Sequence, residues 1–164
     1  MTEEINTQEE FVNEEDEIAK EETGNFVRCL TFESSDLILF ISTEHVIEII
    51  NDHSITELPL VPDYVKGIIN LRGQILPIVD IRLLMGSDAI EYTSKTCIIV
   101  LNIQDTAIGI VVDTVRQVVD INMDNVHPIP VKNQRKLLNG MINMDDGTVC
   151  MSFDCDSLIA SRMM

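Results

Sequence analysis

The chain repeats itself, and the repeat limits what it can fold into. Thr31 to Ile41 (T-F-E-S-S-D-L-I-L-F-I) aligns with Val100 to Ile110 (V-L-N-I-Q-D-T-A-I-G-I) at an offset of 69 positions. The same offset sets Glu44–Ile49 on Asp113–Val118, and Gly67–Arg72 then matches Gly140–Asp145. After one inserted residue, Gly73 falls on Gly147 and Asp80 on Asp154. A period near 70 is too long for a solenoid unit, so it implies two similar small modules. Each copy is built of short apolar runs of strand length, bounded by polar turn clusters. Phe26–Phe32 and Leu37–Ile41 flank Glu33-Ser34-Ser35-Asp36, and Val46–Ile50 follows before a loop at Asn51–Ser54. In the second copy the runs are Thr96–Ile103, Thr106–Val112 and Val115–Ile121. A loop with Pro128 and Pro130 (Asn122–Gln134) leads to Leu137–Met144, a turn at Asp145-Asp146-Gly147, Thr148–Phe153 and a short helix. Small, strongly twisted sheets curl into barrels to remove their edges. The expected fold is therefore mainly β: two packed five-stranded barrels, a first module at about 25–94 and a second at about 95–162.

Composition agrees with this and narrows the function. Aromatics make up 4% of the chain and tryptophan is absent, so Ile, Val, Leu and Met must fill the core. β-Branched residues suit a pleated surface better than a helix. A net charge of −17 argues against a nucleic-acid partner, because phosphate binding needs clustered Lys and Arg. Residues 1–22 alone hold ten acids and one lysine. Such a segment buries too little to offset its ordering entropy, so residues 1–24 are expected to form a disordered acidic tail. A short amphipathic helix around Phe11-Val12 and Ile18-Ala19 is the other reading. No stretch reaches 18 consecutive apolar residues and the N-terminus is acidic, so neither a membrane span nor a secretory signal is expected. Cytoplasmic placement follows as an expectation.

The most informative stretch is Leu58–Gly86, L-P-L-V-P-D-Y-V-K-G-I-I-N-L-R-G-Q-I-L-P-I-V-D-I-R-L-L-M-G. Pro59 and Pro62 keep its start extended. Pro62–Lys66 suits one helical turn, closed by Gly67 in a left-handed conformation. Ile68–Leu71 and Gln74–Val79 read as a hairpin with Arg72 and Gly73 between them, Gly73 supplying the positive φ. Asp80 then caps a short helix, Ile81–Met85, which Gly86 ends.

This stretch resembles the signature of the bacterial chemotaxis coupling proteins, the CheW family. The match runs through Tyr64, Lys66, Gly67, Asn70, Leu71, Arg72, Gly73, Pro77, Asp80 and Arg82. The resemblance covers about residues 25–160 and is weaker in the second module, where Ser152 and Asn139 depart from the family's preferences. It implies two SH3-like barrels and a non-catalytic adaptor. The partners it implies are the cytoplasmic tip of chemoreceptors and the regulatory domain of the CheA histidine kinase, at membrane-associated receptor arrays. It also implies a receptor-binding groove that includes Val46, Glu48, Arg72 and Val115, and a barrel-against-barrel kinase contact near Ile68 and Ile78.

Nothing in the sequence argues for catalysis. His45, His53 and His127 lie in no metal-helix spacing, and Cys29, Cys97, Cys150 and Cys155 form no C-x-x-C pair. The cysteines read as small buried hydrophobes. There is no phosphate-binding glycine loop, nucleophile elbow or dinucleotide fingerprint, so neither cofactor nor metal is expected. Asp80 and Asp154 recur at helix starts and, with Gly67, Gly73 and Gly147, read as turns and caps. Arg72 stands where the second copy has Asp145-Asp146, and this charge reversal marks it as a recognition residue; a local ion pair across the barrel interface is the competing reading. Val46–Ile50 and Val111–Val119 are apolar at both parities, so either both faces are buried or one meets a partner. Two further functions stay open: the same fold serving another two-component output, such as pilus motility or a paralogous receptor array, and a metal- or redox-binding β protein using its cysteines.

Overall fold

The computed structural model describes residues 24–51 and 54–162. The acidic tail and His53 lie outside them. The elements, in order, are β1 (Phe26–Ser34), β2 (Leu37–Ser42), β3 (Val46–Ile50), β4 (Val65–Leu71), β5 (Gln74–Asp80), the helix α1 (Ile81–Leu84), β6 (Cys97–Ile103), β7 (Thr106–Val112), β8 (Thr114–Asn122), β9 (Leu138–Asn143), β10 (Val149–Phe153) and the helix α2 (Cys155–Arg162). Short 3₁₀ turns follow β2 and β8 and precede β9.

The barrels are not the sequence halves. One five-stranded sheet runs β8-β1-β2-β10-β9 and the other β3-β6-β7-β5-β4. Each therefore takes its first two strands from one copy of the repeat and its last three from the other. The expectation that residues 25–94 and 95–162 close separately is corrected here: the copies exchange hairpins. The exchange is a matter of pairing. β1–β2 is zipped to β8 through seven residue pairs from Phe26↔Asn122 to Glu33↔Thr114, and β6 pairs with β3 in the equivalent way. One parallel pairing in each sheet, β2–β10 and β5–β7, completes the equivalence.

Three apolar clusters follow from that exchange. Ile69, Leu76, Ile78, Ile98, Val100 and Val111 fill one sheet's interior; Cys29, Phe40, Ile121, Ile142 and Cys150 fill the other's. The largest cluster lies between the sheets, with Phe32, Leu39, Ile41, Ile99, Leu101, Ile108 and Ile110 all essentially inaccessible. Strands β1, β2, β6 and β7 thus pack on both faces, which explains their apolar residues at both parities. Each such side chain contributes about 1.5–3 kcal/mol by leaving water.

Turns hold the strands in register. The β1–β2, β4–β5 and β6–β7 hairpins each have two central residues at positive φ: Ser35 and Asp36, Arg72 and Gly73, Gln104 and Asp105. That geometry matches the natural twist of paired strands. The helical turn expected at Pro62–Lys66 is absent. Instead Val65 N–H donates to the Pro62 carbonyl in a β-turn, and β4 begins at once. Gly67 sits inside that strand at φ +143°, beside a bulge. A Cβ there would lie 2.1 Å from the Thr56 carbonyl oxygen. Glycine is required because the Thr56 segment crosses directly over it, joined to Ile68 by two backbone hydrogen bonds of 2.8 and 2.9 Å. The second sheet repeats the device: His127 and Met141 exchange two 2.8 Å bonds beside Gly140, inside what reads in sequence as a plain loop.

Candidate functional site

Arg72 occupies the tip of the β4–β5 hairpin, where Asn70 Oδ1 accepts the Gly73 N–H at 2.9 Å and locks the turn. Its guanidinium reaches Glu48 on β3, with Nη1 to Oε1 at 3.0 Å and Nη2 to Oε2 at 3.4 Å. β3 and β4 are opposite edges of one sheet, so the pair joins the edges as the sheet curls. It lies within one barrel, not across the interface between the two. Arg116 on β8 stands near Asp146, whose carboxyl is lowered chiefly by its hydrogen bonds from Thr148, with Arg116 adding to the effect. Arg116 is itself ion-paired to Glu33 on β1 at 3.4 Å, so among the described residues the second tip forms no pair equivalent to Arg72–Glu48. Because Arg72 already has an edge-closing partner in Glu48, the reversal alone does not distinguish recognition from edge closure.

Two other properties of Arg72 do bear on recognition. It is held at φ +53°, a conformation that non-glycine residues enter at a cost of about 1–2 kcal/mol. Its side chain is 77% exposed, while Glu48 beneath it is 25% exposed. The outer face of the same sheet is aliphatic. On β3 the outward residues Ile47 and Ile49 are 48% and 40% exposed. On the hairpin, Asn70↔Ile75 and Ile68↔Pro77 are paired in register, so all four share the outer face. Ile75 is 63% exposed.

The other expected site residues sit differently. Val46 and Val115 are half-buried, each packed against the cluster between the sheets. Ile68 is half-buried beside Thr56. Ile78 cannot contact a partner: it is 0% exposed and its side chain packs against Gly109, where an added Cβ would come within 2.5 Å of it. The sequence hid this, because β5 reads Ile75-Leu76-Pro77-Ile78-Val79 with no polar residue to mark a face. Ile75 is the outward residue.

The D-x-R end of the stretch builds a clamp. Asp80 caps α1 by accepting the Arg82 N–H at 3.0 Å and also accepts the Tyr92 hydroxyl at 2.9 Å. Burial and the Asp80 carboxylate push the Tyr92 phenol well above its usual value. The Arg82 guanidinium, whose side chain is only 11% exposed, is ion-paired to Asp113. Asp113 in turn accepts the Ser35 N–H at 3.2 Å, while its own N–H donates to the Glu33 carbonyl at 2.8 Å. The clamp thus ties the helix after β5 to the β1–β2 turn of the other sheet. Sequence reasoning missed it because Asp113 is separated from Arg82 by 31 positions. In the second copy Asp154 is a plain cap, accepting the Ser157 N–H and hydroxyl. Arg82 is replaced there by Asp156, and a cleft of about 250 Å³ opens among Ser42, His45, Asn139, Cys155 and Asp156.

All four cysteines carry free thiols, with Cys29, Cys97 and Cys150 buried. Burial, reinforced by Asp156, pushes the Cys155 thiol up to about 12, and burial with Asp120 raises Cys29 to about 11. Among the described residues no group of three His, Cys, Asp or Glu side chains is placed to hold a metal ion, and no helix is long and apolar enough to cross a membrane.

Residues 28–163 match the family model described as the CheW-like domain. The chain belongs to the CheW-like family. Among CheW-family relatives, the chemotaxis protein CheW of Klebsiella aerogenes is 38% identical over 113 residues, spanning 67% of this chain and 68% of that one. The chemotaxis protein CheW of Rhizobium meliloti is 30% identical over 147 residues, spanning 88% and 94%. A solved CheW structure, the scaffolding protein TtCheW from Thermoanaerobacter tengcongensis, superposes with a TM-score of 0.72 at 26% identity, covering 77% of this chain and 88% of that one.

Proposed function

We propose that this CheW-family chain is a non-catalytic adaptor coupling methyl-accepting chemoreceptors to the CheA histidine kinase in chemotaxis signalling. It works by binding: two rigid sheets hold a receptor and a kinase at fixed positions, so that a small receptor shift changes kinase activity. The receptor side is the surface around Val46 and Glu48 on β3, Arg72 at the β4–β5 tip and Val115 on β8. The kinase side is the outer face of β4–β5, on Ile68, Ile75 and Pro77. Its contact on CheA is the regulatory domain, and on the receptor the cytoplasmic tip; the adaptor then resides at the cytoplasmic side of membrane-associated arrays.

One observation carries the recognition role of Arg72. A backbone position that asparagine or glycine would occupy more stably holds an exposed arginine over a half-buried glutamate. Calorimetric titration of the full chain with a receptor-tip fragment and with the CheA regulatory domain tests the proposal. Arg72→Asp and Ile75→Glu should each stay folded and weaken a different titration by about tenfold or more, the scale of an interface hot spot. Binding of the unaltered chain to neither partner would refute the assignment.

A further inference from the structure

The chain is acidic almost everywhere, with one exception. From Asn125 to Met144 there is no Asp or Glu, yet Lys132, Arg135 and Lys136 fall within five residues. These are three of only eleven lysines and arginines in the chain. The structure displays them. Residues 131–136 are all exposed, Val131 at 85%. A 3₁₀ turn at Val131–Asn133, closed by Asn133 N–H to the Pro130 carbonyl at 2.8 Å, carries Lys132, and Arg135 and Lys136 follow it ahead of β9. Among the described residues, the ion pairs use Arg28, Arg72, Arg82, Arg116 and His45, not these three. Beside them lies a groove of about 340 Å³ with an apolar floor of Leu37, Leu138 and Met151 and a rim that includes Lys132 and Arg135.

We propose that this groove is the docking site for the chain's own acidic N-terminal segment, residues 1–22. Charge complementarity is the first argument. The segment has ten acids against one lysine, the densest negative run in the chain, and the loop is its densest positive run. Pattern is the second: the acids flank the apolar pairs Phe11-Val12 and Ile18-Ala19, as an apolar floor with a basic rim requires. Geometry is the third. The described chain starts at Gly24, against Asn122, and the Asn25 carbonyl accepts the Met123 N–H at 3.0 Å. Ten residues separate Asn122 from Lys132, at most about 35 Å of chain, whereas twenty-two residues reach about 70 Å when extended. Tethering raises the local concentration of the segment to the millimolar range, so even a weak contact is populated. Docking covers Leu138 and Met151 on the β9–β10 hairpin, which occupy the positions that Val65 and Pro77 hold on β4–β5. A partner seeking that second hairpin must displace the segment.

Zero-length carbodiimide cross-linking of the full chain, mapped by mass spectrometry, tests this. Intramolecular links from Glu9–Glu22 to Lys132 and Lys136 should exceed links to Lys95, an exposed lysine elsewhere, by about fivefold at low salt and fall to parity at about 0.5 M salt, where screening is nearly complete. Arg135→Glu keeps both target lysines and should remove the excess; Phe11→Ser should reduce it. Amide shifts at residues 131–138 that move with salt in the unaltered chain and stay still in Arg135→Glu provide a second readout. Equal links to Lys95 at low salt would overturn the proposal, and so would links found only between two copies.

Discussion

Replacing Gly67 by alanine separates a packing requirement from a conformational one. Gly67 lies at φ +143°, and an alanine methyl would meet the Thr56 carbonyl oxygen at 2.1 Å and its carbon at 2.8 Å. Both atoms are backbone, so no side chain can swing aside. The Thr56 segment must lift, breaking the two hydrogen bonds that join Thr56 and Ile68. Each bond is worth about 0.5–1.5 kcal/mol net, and holding a non-glycine residue at such a φ costs about 1–3 kcal/mol. The expected loss is about 3–5 kcal/mol. Gly73→Ala is the control: φ is +85°, but nothing lies within 4 Å, so only the conformational cost of about 1 kcal/mol remains. Urea unfolding followed by circular dichroism measures both. In thermal terms the gap is roughly 10 °C for a domain of this size. Amide exchange should also show lost protection at Thr56 and Ile68 in Gly67→Ala alone. Equal losses for the two variants would refute the close-approach reasoning.

Asp113→Asn should destabilise by about 2–4 kcal/mol, because it strands the Arg82 guanidinium with little access to water; calorimetric melting checks it. Ile78→Ala should cost about 2–5 kcal/mol, whereas Ile75→Ala should stay within about 0.5 kcal/mol, and comparable values would mean β5 faces the other way. Arg72→Asn should raise stability slightly, by about 0.5 kcal/mol, relief at φ +53° outweighing an exposed ion pair, while weakening partner binding; loss of both would assign Arg72 to the fold. Cys155 and Cys29 have folded-state thiol values near 12 and 11, above an unfolded value near 9. The native state therefore holds these protons longer, so their contribution is intact below pH 9 and is lost as pH rises towards 11–12. Urea midpoints should fall across that window, and neither thiol should react with iodoacetamide at neutral pH until the chain unfolds.

Local chemistry made much of this molecule legible in the sequence. The strands, the Arg72-Gly73 turn and the Asp80 and Asp154 caps all depend on residues within a few positions of one another. Each lies where the strand runs and turn chemistry place it. The repeat could be read because two copies conserve the order of those local signals. Pro62–Lys66 misread for the same reason. Its residues suit a helical turn, but Thr56 pairs with Ile68 and draws the segment straight into β4.

Tertiary structure alone decided which hairpin joins which sheet. The two copies present nearly equivalent edges, so nothing local tells β1–β2 to pair with β8 instead of β3. It also decided the faces of β5, where an unbroken apolar run allowed Ile78 and Ile75 to be confused until one packed against Gly109 and the other stood in water. Glu48 and Arg72 meet only because a sheet closes on its own edges, and Arg82 finds Asp113 only because the chain crosses between sheets after β7. Sequence by itself determined the elements, the family and the charge segregation between tail and body. Long-range pairing determined where the proposed recognition surface faces, since backbone hydrogen bonding and shared apolar burial act between residues that sequence separation keeps apart.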